Sequence, residues 1–290
     1  MKRSKQRLAT SDKQLVKLIA ASSLFAVCFS LPFTGCARAR IIPTRSGEYH
    51  RGVGAEPFSI TPPLQKIPVG EELEYQVSWW GIPVATAVLR SSHLQEKTHR
   101  DLVHLSFEAK SNWALQTFYP VRVRLSSRFD PQTLSPRRFE SYLKRRWYVH
   151  ESVITFDPAP GMAVHELQGE KEGRVSIQPT TQDGLSMLYY VRTLPLQLGK
   201  TILLEIAADG KNWALKGRIV RAHMVRIGNL GDWPAVEGRV ELAYPVPFFH
   251  GAQAKVWFSA DQDRIPLLAR IHSRIGPVTV VLTRRKTARH

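Results

Sequence analysis

Arg122 and Arg124 stand two residues apart in Val121–Phe129, "VRVRLSSRF". Alternating with Val121, Val123 and Leu125, they occupy one face of an extended strand. Arg137, Arg138, Lys144, Arg145 and Arg146 follow in the chain. Antiparallel neighbours set such side chains beside one another, so Arg122, Arg124 and Arg138 are candidate ligand-binding residues. Guanidinium groups hold phosphate or carboxylate by paired hydrogen bonds. The plainer reading is a solvated outer sheet face, partly neutralised by Glu140 and Glu151. Trp80 is the fourth candidate. It follows Trp79 directly, so in a strand the two rings face opposite ways, and an outward indole can stack on sugar or enter lipid.

Nothing comparable points to catalysis, and no catalytic residue is predicted. His150-Glu151 and His165-Glu166 are adjacent pairs, and strand neighbours point to opposite faces, which prevents an acid–base dyad. There is no Gly-x-Ser-x-Gly elbow, phosphate loop or zinc-protease histidine pair. Asp183 opens the one stretch with helical spacing and reads as an N-cap. Asp261 and Asp263 are spaced like calcium-loop carboxylates, but the central glycine and later glutamate are missing; a polar turn accounts for them. Two cysteines, Cys28 and Cys36, build neither a disulfide framework nor a cysteine-pair metal site. No metal and no cofactor are predicted.

The elements that position these residues begin with an export segment. Lys2, Arg3, Lys5, Arg7, Lys13 and Lys17 precede the uncharged run Leu18–Leu31, the order of a secretory signal. That run is short against the roughly 20 apolar residues of a membrane span. It ends at Phe33-Thr34-Gly35-Cys36, which resembles the lipobox of bacterial lipoproteins. The resemblance implies that Cys36 is lipidated and becomes the first residue; ordinary cleavage and an uncleaved anchor are the alternatives. Two or more acyl chains hold a protein stably on a bilayer. Ala37 follows Cys36, and absence of Asp there fits sorting to the outer membrane. The expected location is therefore the Gram-negative envelope, anchored to the outer membrane and facing the periplasm. The chain carries 41 Lys and Arg against 24 Asp and Glu, net +17. Export makes nucleic acid an unfitting partner for that charge; anionic lipid or glycan fits it, and simple solubility accounts for it equally well.

Residues 1–35 are read as the signal peptide and 36–67 as the lipidated cysteine with a flexible tether holding Arg38, Arg40, Arg45 and Arg51. Residues 68–284 form the folded domain and 285–290 a basic tail. Within the domain, alternation over Glu71–Trp80, Leu102–Ala109 and Val121–Phe129 marks half-buried antiparallel strands. Similar runs recur to Thr283, separated by turns such as Asp157-Pro158 and Asp209-Gly210. Gly81-Ile82-Pro83 reads as a break between strands. One short helix is predicted near 183–193, closed by Pro195. The fold class is mostly β: a single large antiparallel domain built as a curved sheet, sandwich or open barrel.

Four blocks, "GEELEYQVSWWGIPVATAVL", "AKSNWALQTFYPVRVRLSSRFDPQTLSPRRFE", "TQDGLSMLYYVRTLPLQLGKT" and "VWFSADQDRIPLLARI", resemble the bacterial domain of unknown function 3108 family. The resemblance runs over about Pro68–Thr283. It implies an exported envelope protein and brings no activity, ligand or catalytic residue. Where that family carries proline after the aspartate of the third block, this chain has Gly184. The expected function is a non-catalytic periplasmic binding or structural domain for an anionic lipid or glycan. A protein–protein scaffold in envelope assembly, and a hydrolase or transferase acting on envelope polymers, are the alternatives.

Overall fold

The computed structural model describes residues 66–95, 101–242, 253–273 and 276–287. The signal segment, Cys36, nearly all of the tether and residues 288–290 lie outside them. Fourteen strands run in chain order: β1 (Glu72–Trp79), β2 (Ile82–Gln95), β3 (Asp101–Ser111), β4 (Val121–Asp130), β5 (Ser135–Arg145), β6 (Tyr148–Asp157), β7 (Met162–Leu167), β8 (Glu170–Ser176), β9 (Thr201–Ala208), β10 (Lys211–Arg226), β11 (Asp232–Leu242), β12 (Gln253–Ser259), β13 (Pro266–Ser273) and β14 (Gly276–Lys286). Helix α1 (Trp113–Phe118) joins β3 to β4, and helix α2 (Ser186–Arg192) lies between β8 and β9.

All fourteen strands form one antiparallel sheet, ordered β8-β7-β6-β5-β4-β3-β2-β1-β14-β13-β12-β11-β10-β9. Strand β4 shows why it curls. Val121, Val123, Leu125 and Phe129 are buried, while Arg122, Arg124 and Arg128 between them are exposed. Leu73 of β1, Leu89 of β2, Leu105 of β3 and Leu267 of β13 join the same apolar cluster as Phe129, Ile154 of β6 and Tyr189 of α2. Strands far apart in the sheet order thus share one core, and each fully buried aliphatic side chain contributes about 1.5–3 kcal/mol. The chain after α2 carries Leu194 and Leu196 against Ile219, Val236 and Phe258. Val236 neighbours Ala235 of the main cluster, so this part of the sheet is covered on both faces.

The edge strands β8 and β9 are not paired with each other. A strap spans the gap: Gln182 donates its N–H to the Glu205 carbonyl (2.8 Å) and accepts from the Ala207 N–H (2.9 Å). Asn212 in β10 donates to the Ser176 carbonyl at the end of β8. The architecture is therefore an open barrel closed by a strap and side chains rather than by a continuous ladder.

Three elements differ from the sequence reading. Helix α1 was not expected beside the one predicted near 183–193. Asn112 starts it: its Oδ1 accepts from the Leu115 N–H (2.9 Å) and its amide donates to the Pro83 carbonyl (2.6 Å). Six residues are too few to display helical period. The predicted break at Gly81-Ile82-Pro83 is only a two-residue turn, Trp80-Gly81, with φ of 51° and 79°. Paired positive φ values suit the right-handed twist of a tight hairpin, and Ile82 and Pro83 already belong to β2. Strand β8, "EKEGRVS", is largely polar and went unread because an edge strand needs no clean alternation.

Candidate functional site

Arg122 on β4 pairs in register with Lys110 on β3 and with Lys144 on β5. All three side chains are exposed. Three cations lie in one cross-strand row on the outer face, flanked by Thr86 on β2 and Val149 on β6. Like charges directly opposite one another destabilise a sheet. Among the described residues, no acidic side chain forms an ion pair with any of the three. Arg124 stands in the next outward row, between Glu108 and Tyr142, and its guanidinium lies 4.3 Å from the centre of the Tyr142 ring.

Arg138 does not join them. It pairs with Arg128 across the strands and with Glu140 at 2.6 Å. Six residues of β5 separate it from Lys144, about 20 Å of strand. The structure thus brings Arg122 and Arg124 together with Lys110 and Lys144 and leaves Arg138 apart.

The connections β1–β2, β3–β4 and β5–β6 all lie at the end of the sheet nearest this row, because neighbouring strands alternate in direction. Each connection presents an exposed indole. Trp80, at the β1–β2 turn, is 60% exposed; Trp113, opening α1, is 84%; Trp147, at the β5–β6 turn, is 82%. The Arg146 guanidinium sits 4.3 Å from the centre of the Trp147 ring. Ile82 beside Trp80 is 59% exposed. The tips are tied together: Asn112 N–H donates to the Val84 carbonyl (2.9 Å), and Arg146 N–H to the Pro120 carbonyl (3.1 Å). Trp80 leans on Gly276, where an added Cβ would come within 2.1 Å of the indole nitrogen. Sequence reasoning selected Trp80 and missed Trp113, Trp147 and Lys110. The signal was legible in "AKSNWAL" and "KRRWYV", each joining a cation to a tryptophan.

The acidic candidates serve the fold. Asp183 Oδ1 accepts from the Leu185 and Ser186 N–H groups, both at 2.7 Å, and Oδ2 accepts from Ser127 Oγ at 2.6 Å. Ser186 Oγ accepts in return from the Asp183 N–H (3.0 Å), a reciprocal cap just before α2. Burial pushes the Asp183 carboxyl above its ordinary value, against the opposing pull of these hydrogen bonds. Asp261 Oδ1 accepts from Ser259 Oγ and the Asp263 N–H, while the Asp263 carboxylate pairs with Arg285 at 2.6 Å. These two carboxylates are spent on a turn and an ion pair rather than on a common centre. His150 is buried and Glu151 exposed, as strand geometry demands.

A cavity of about 180 Å³ lies against Ile67, Val69, Leu102 and Val103, and another of about 10 Å³ beside Ala163 and Ala207. Pockets for drug-sized ligands run to about 300–1,000 Å³. The outer face and the tryptophan-tipped end carry the exposed cations and indoles. No helix among the described residues is long and apolar enough to cross a membrane.

A family model described as "Protein of unknown function (DUF3108)" matches residues 74–283. No curated protein matches the chain. Among solved structures, a beta-barrel-like protein of domain of unknown function DUF1849 from Brucella abortus is 9% identical, with a TM-score of 0.51. The match covers 77% of this chain and 100% of that one. A DUF1089 family protein from Pseudomonas aeruginosa is 12% identical, with a TM-score of 0.35 over 63% of this chain and 88% of that one. A Bacteroides fragilis protein described as exported and of YmcC-like fold is 9% identical, with a TM-score of 0.33 over 79% and 100%. At these identities the first likeness is one of fold alone.

Proposed function

Since the chain belongs to the DUF3108 family of proteins of unknown function, we propose from its own geometry that it is a non-catalytic binding domain for clustered phosphate or carboxylate groups. Such groups are displayed by anionic envelope lipids and glycans. The observation that carries this reading is the row Lys110–Arg122–Lys144. Three cations held opposite one another without an acidic ion-pair partner among the described residues oppose sheet stability, and a multivalent anion relieves that repulsion. Arg124, fixed by stacking on Tyr142, stands at the border of the row. Arg138 is left out of the proposed site by its own ion pair.

In this reading the protein is an envelope lipoprotein held through Cys36 on the outer membrane, with its domain in the periplasm. The leader and Phe33-Thr34-Gly35-Cys36 support it; the replacement Cys36→Ser should release the protein from membranes on fractionation. A protein-docking scaffold is the second reading. It draws on Leu203, 72% exposed on edge strand β9.

The test is binding of lipopolysaccharide and of anionic vesicles by the wild type and by Arg122→Glu/Lys144→Glu. Binding that weakens with salt and drops at least tenfold in the variant supports the proposal. Binding that ignores both salt and substitution removes it.

A further inference from the structure

We infer that the end of the sheet tipped by Trp80, Trp113 and Trp147 is a membrane-docking face that seats on an anionic lipid bilayer. The indoles enter the interfacial region while the Lys110–Arg122–Lys144 row faces the headgroup phosphates. This inference rests on the anion-binding reading above and names its partner.

Three observations favour a bilayer over a glycan. The first is chemical. An indole joins a large apolar ring to one polar N–H, which suits the boundary between lipid and water. The three rings are 60%, 84% and 82% exposed, so water covers apolar surface that a headgroup region would accept. The second is spacing. The three connections are two strand positions apart, about 10 Å each, so the indoles are distributed over roughly 20 Å of rim. A stacked sugar needs its rings gathered over one site; a flat bilayer engages all three tips at once. The third is charge. Beside the indoles lie Arg146, stacked on Trp147, and the cation row. Tryptophan with lysine or arginine at one level is the composition of interfacial anchors, and the positive charge complements anionic headgroups. The outward faces of β3, β4 and β5 carry Glu108, Arg124 and Lys144 along their length. A lipid-exposed barrel wall is apolar there, so this domain rests on a bilayer by its end rather than crossing one.

The test uses the mature chain, residues 36–290 carrying Cys36→Ser, so that neither the apolar leader nor an acyl anchor contributes. Probes are phosphatidylcholine vesicles with and without phosphatidylglycerol, vesicles of the same composition with shallow-brominated lipids, and dextran sulfate as a soluble polyanion. Circular dichroism checks that Trp113→Ala/Trp147→Ala retains the fold. The expected result is binding to phosphatidylglycerol vesicles with quenching of tryptophan emission by brominated lipid. In the double variant, quenching is largely lost and vesicle affinity falls at least tenfold, while dextran sulfate binding changes less than twofold. Vesicle binding without quenching overturns membrane docking and leaves the anion-binding reading standing. Binding of dextran sulfate but not of vesicles does the same and points to a glycan. Binding of neither overturns both.

Discussion

The Arg192 guanidinium makes two bonds to the Glu71 carboxylate, 2.7 Å from Nη1 and 3.0 Å from Nη2, across 121 residues of chain. Both side chains are at most 1% exposed. Arg192 also donates from Nε and Nη2 to the Asp263 carbonyl. One guanidinium therefore ties the end of α2 to the start of β1 and to the β12–β13 turn. Removing one partner leaves a buried charge, which costs about 3–5 kcal/mol, whereas replacing both by apolar groups can be neutral. Arg192→Met should thus lower the chemical denaturation midpoint sharply, and Glu71→Leu/Arg192→Met should recover much of the loss. A double variant that loses as much as the two single ones added together would show no coupling between the two charges and would overturn this account.

Asp183 makes a second prediction. Asn keeps an oxygen for the Leu185 and Ser186 N–H groups, whereas Ala leaves both orphaned. Asp183→Ala should cost about 1–3 kcal/mol, and Asp183→Asn clearly less, measured by urea denaturation. Equal losses would mean that the charge, not the cap, is what matters.

The same carboxyl sets a pH dependence. Burial raises its pKa in the folded protein, so the native state binds this proton more tightly than the unfolded chain, whose value is about 3.9. Its contribution to stability is full below that value and is lost as pH rises through the raised native one. The wild type should therefore lose stability relative to Asp183→Asn as pH increases upward from about 4. A stability difference between the two that stays flat across that window contradicts this.

Charge reversal in the cation row separates binding from stability. Arg122→Glu places an acid between Lys110 and Lys144 and replaces two repulsive cross-strand pairs by attractive ones. It should raise stability by about 0.2–1 kcal/mol while weakening anion binding. Thermal denaturation and vesicle titration on one preparation read both. A variant that is less stable and binds normally would reduce the row to a solvated surface.

Gly276 supports one tryptophan tip. Its φ is +115°, and a Cβ would collide with the Trp80 indole. Gly276→Ala should cost about 1–3 kcal/mol and shift tryptophan emission. Unchanged emission would show that Trp80 does not rest there.

The antiparallel β class was legible because each strand is half buried. A period of two in "VRVRLSSRF" states which residues face inward and which outward whatever the neighbours are. The reciprocal cap at Asp183 was legible for a similar reason, since its partners lie within three residues. What escaped depends on contacts far apart in the chain. The pairing of Arg192 with Glu71 had no local signal, and nothing local chose the open barrel among the curved sheet, sandwich and open barrel that the strand pattern allowed. Arg138 looked equivalent to Arg122 because strand period reports facing and not position along the strand. By itself the sequence determined the alternation, the turns and the sign of the charge. Only the tertiary structure decided which cations stand in one row and that three tryptophans share one end. Register and strand direction, which place residues distant in sequence side by side, are settled by long-range hydrogen bonding and core packing.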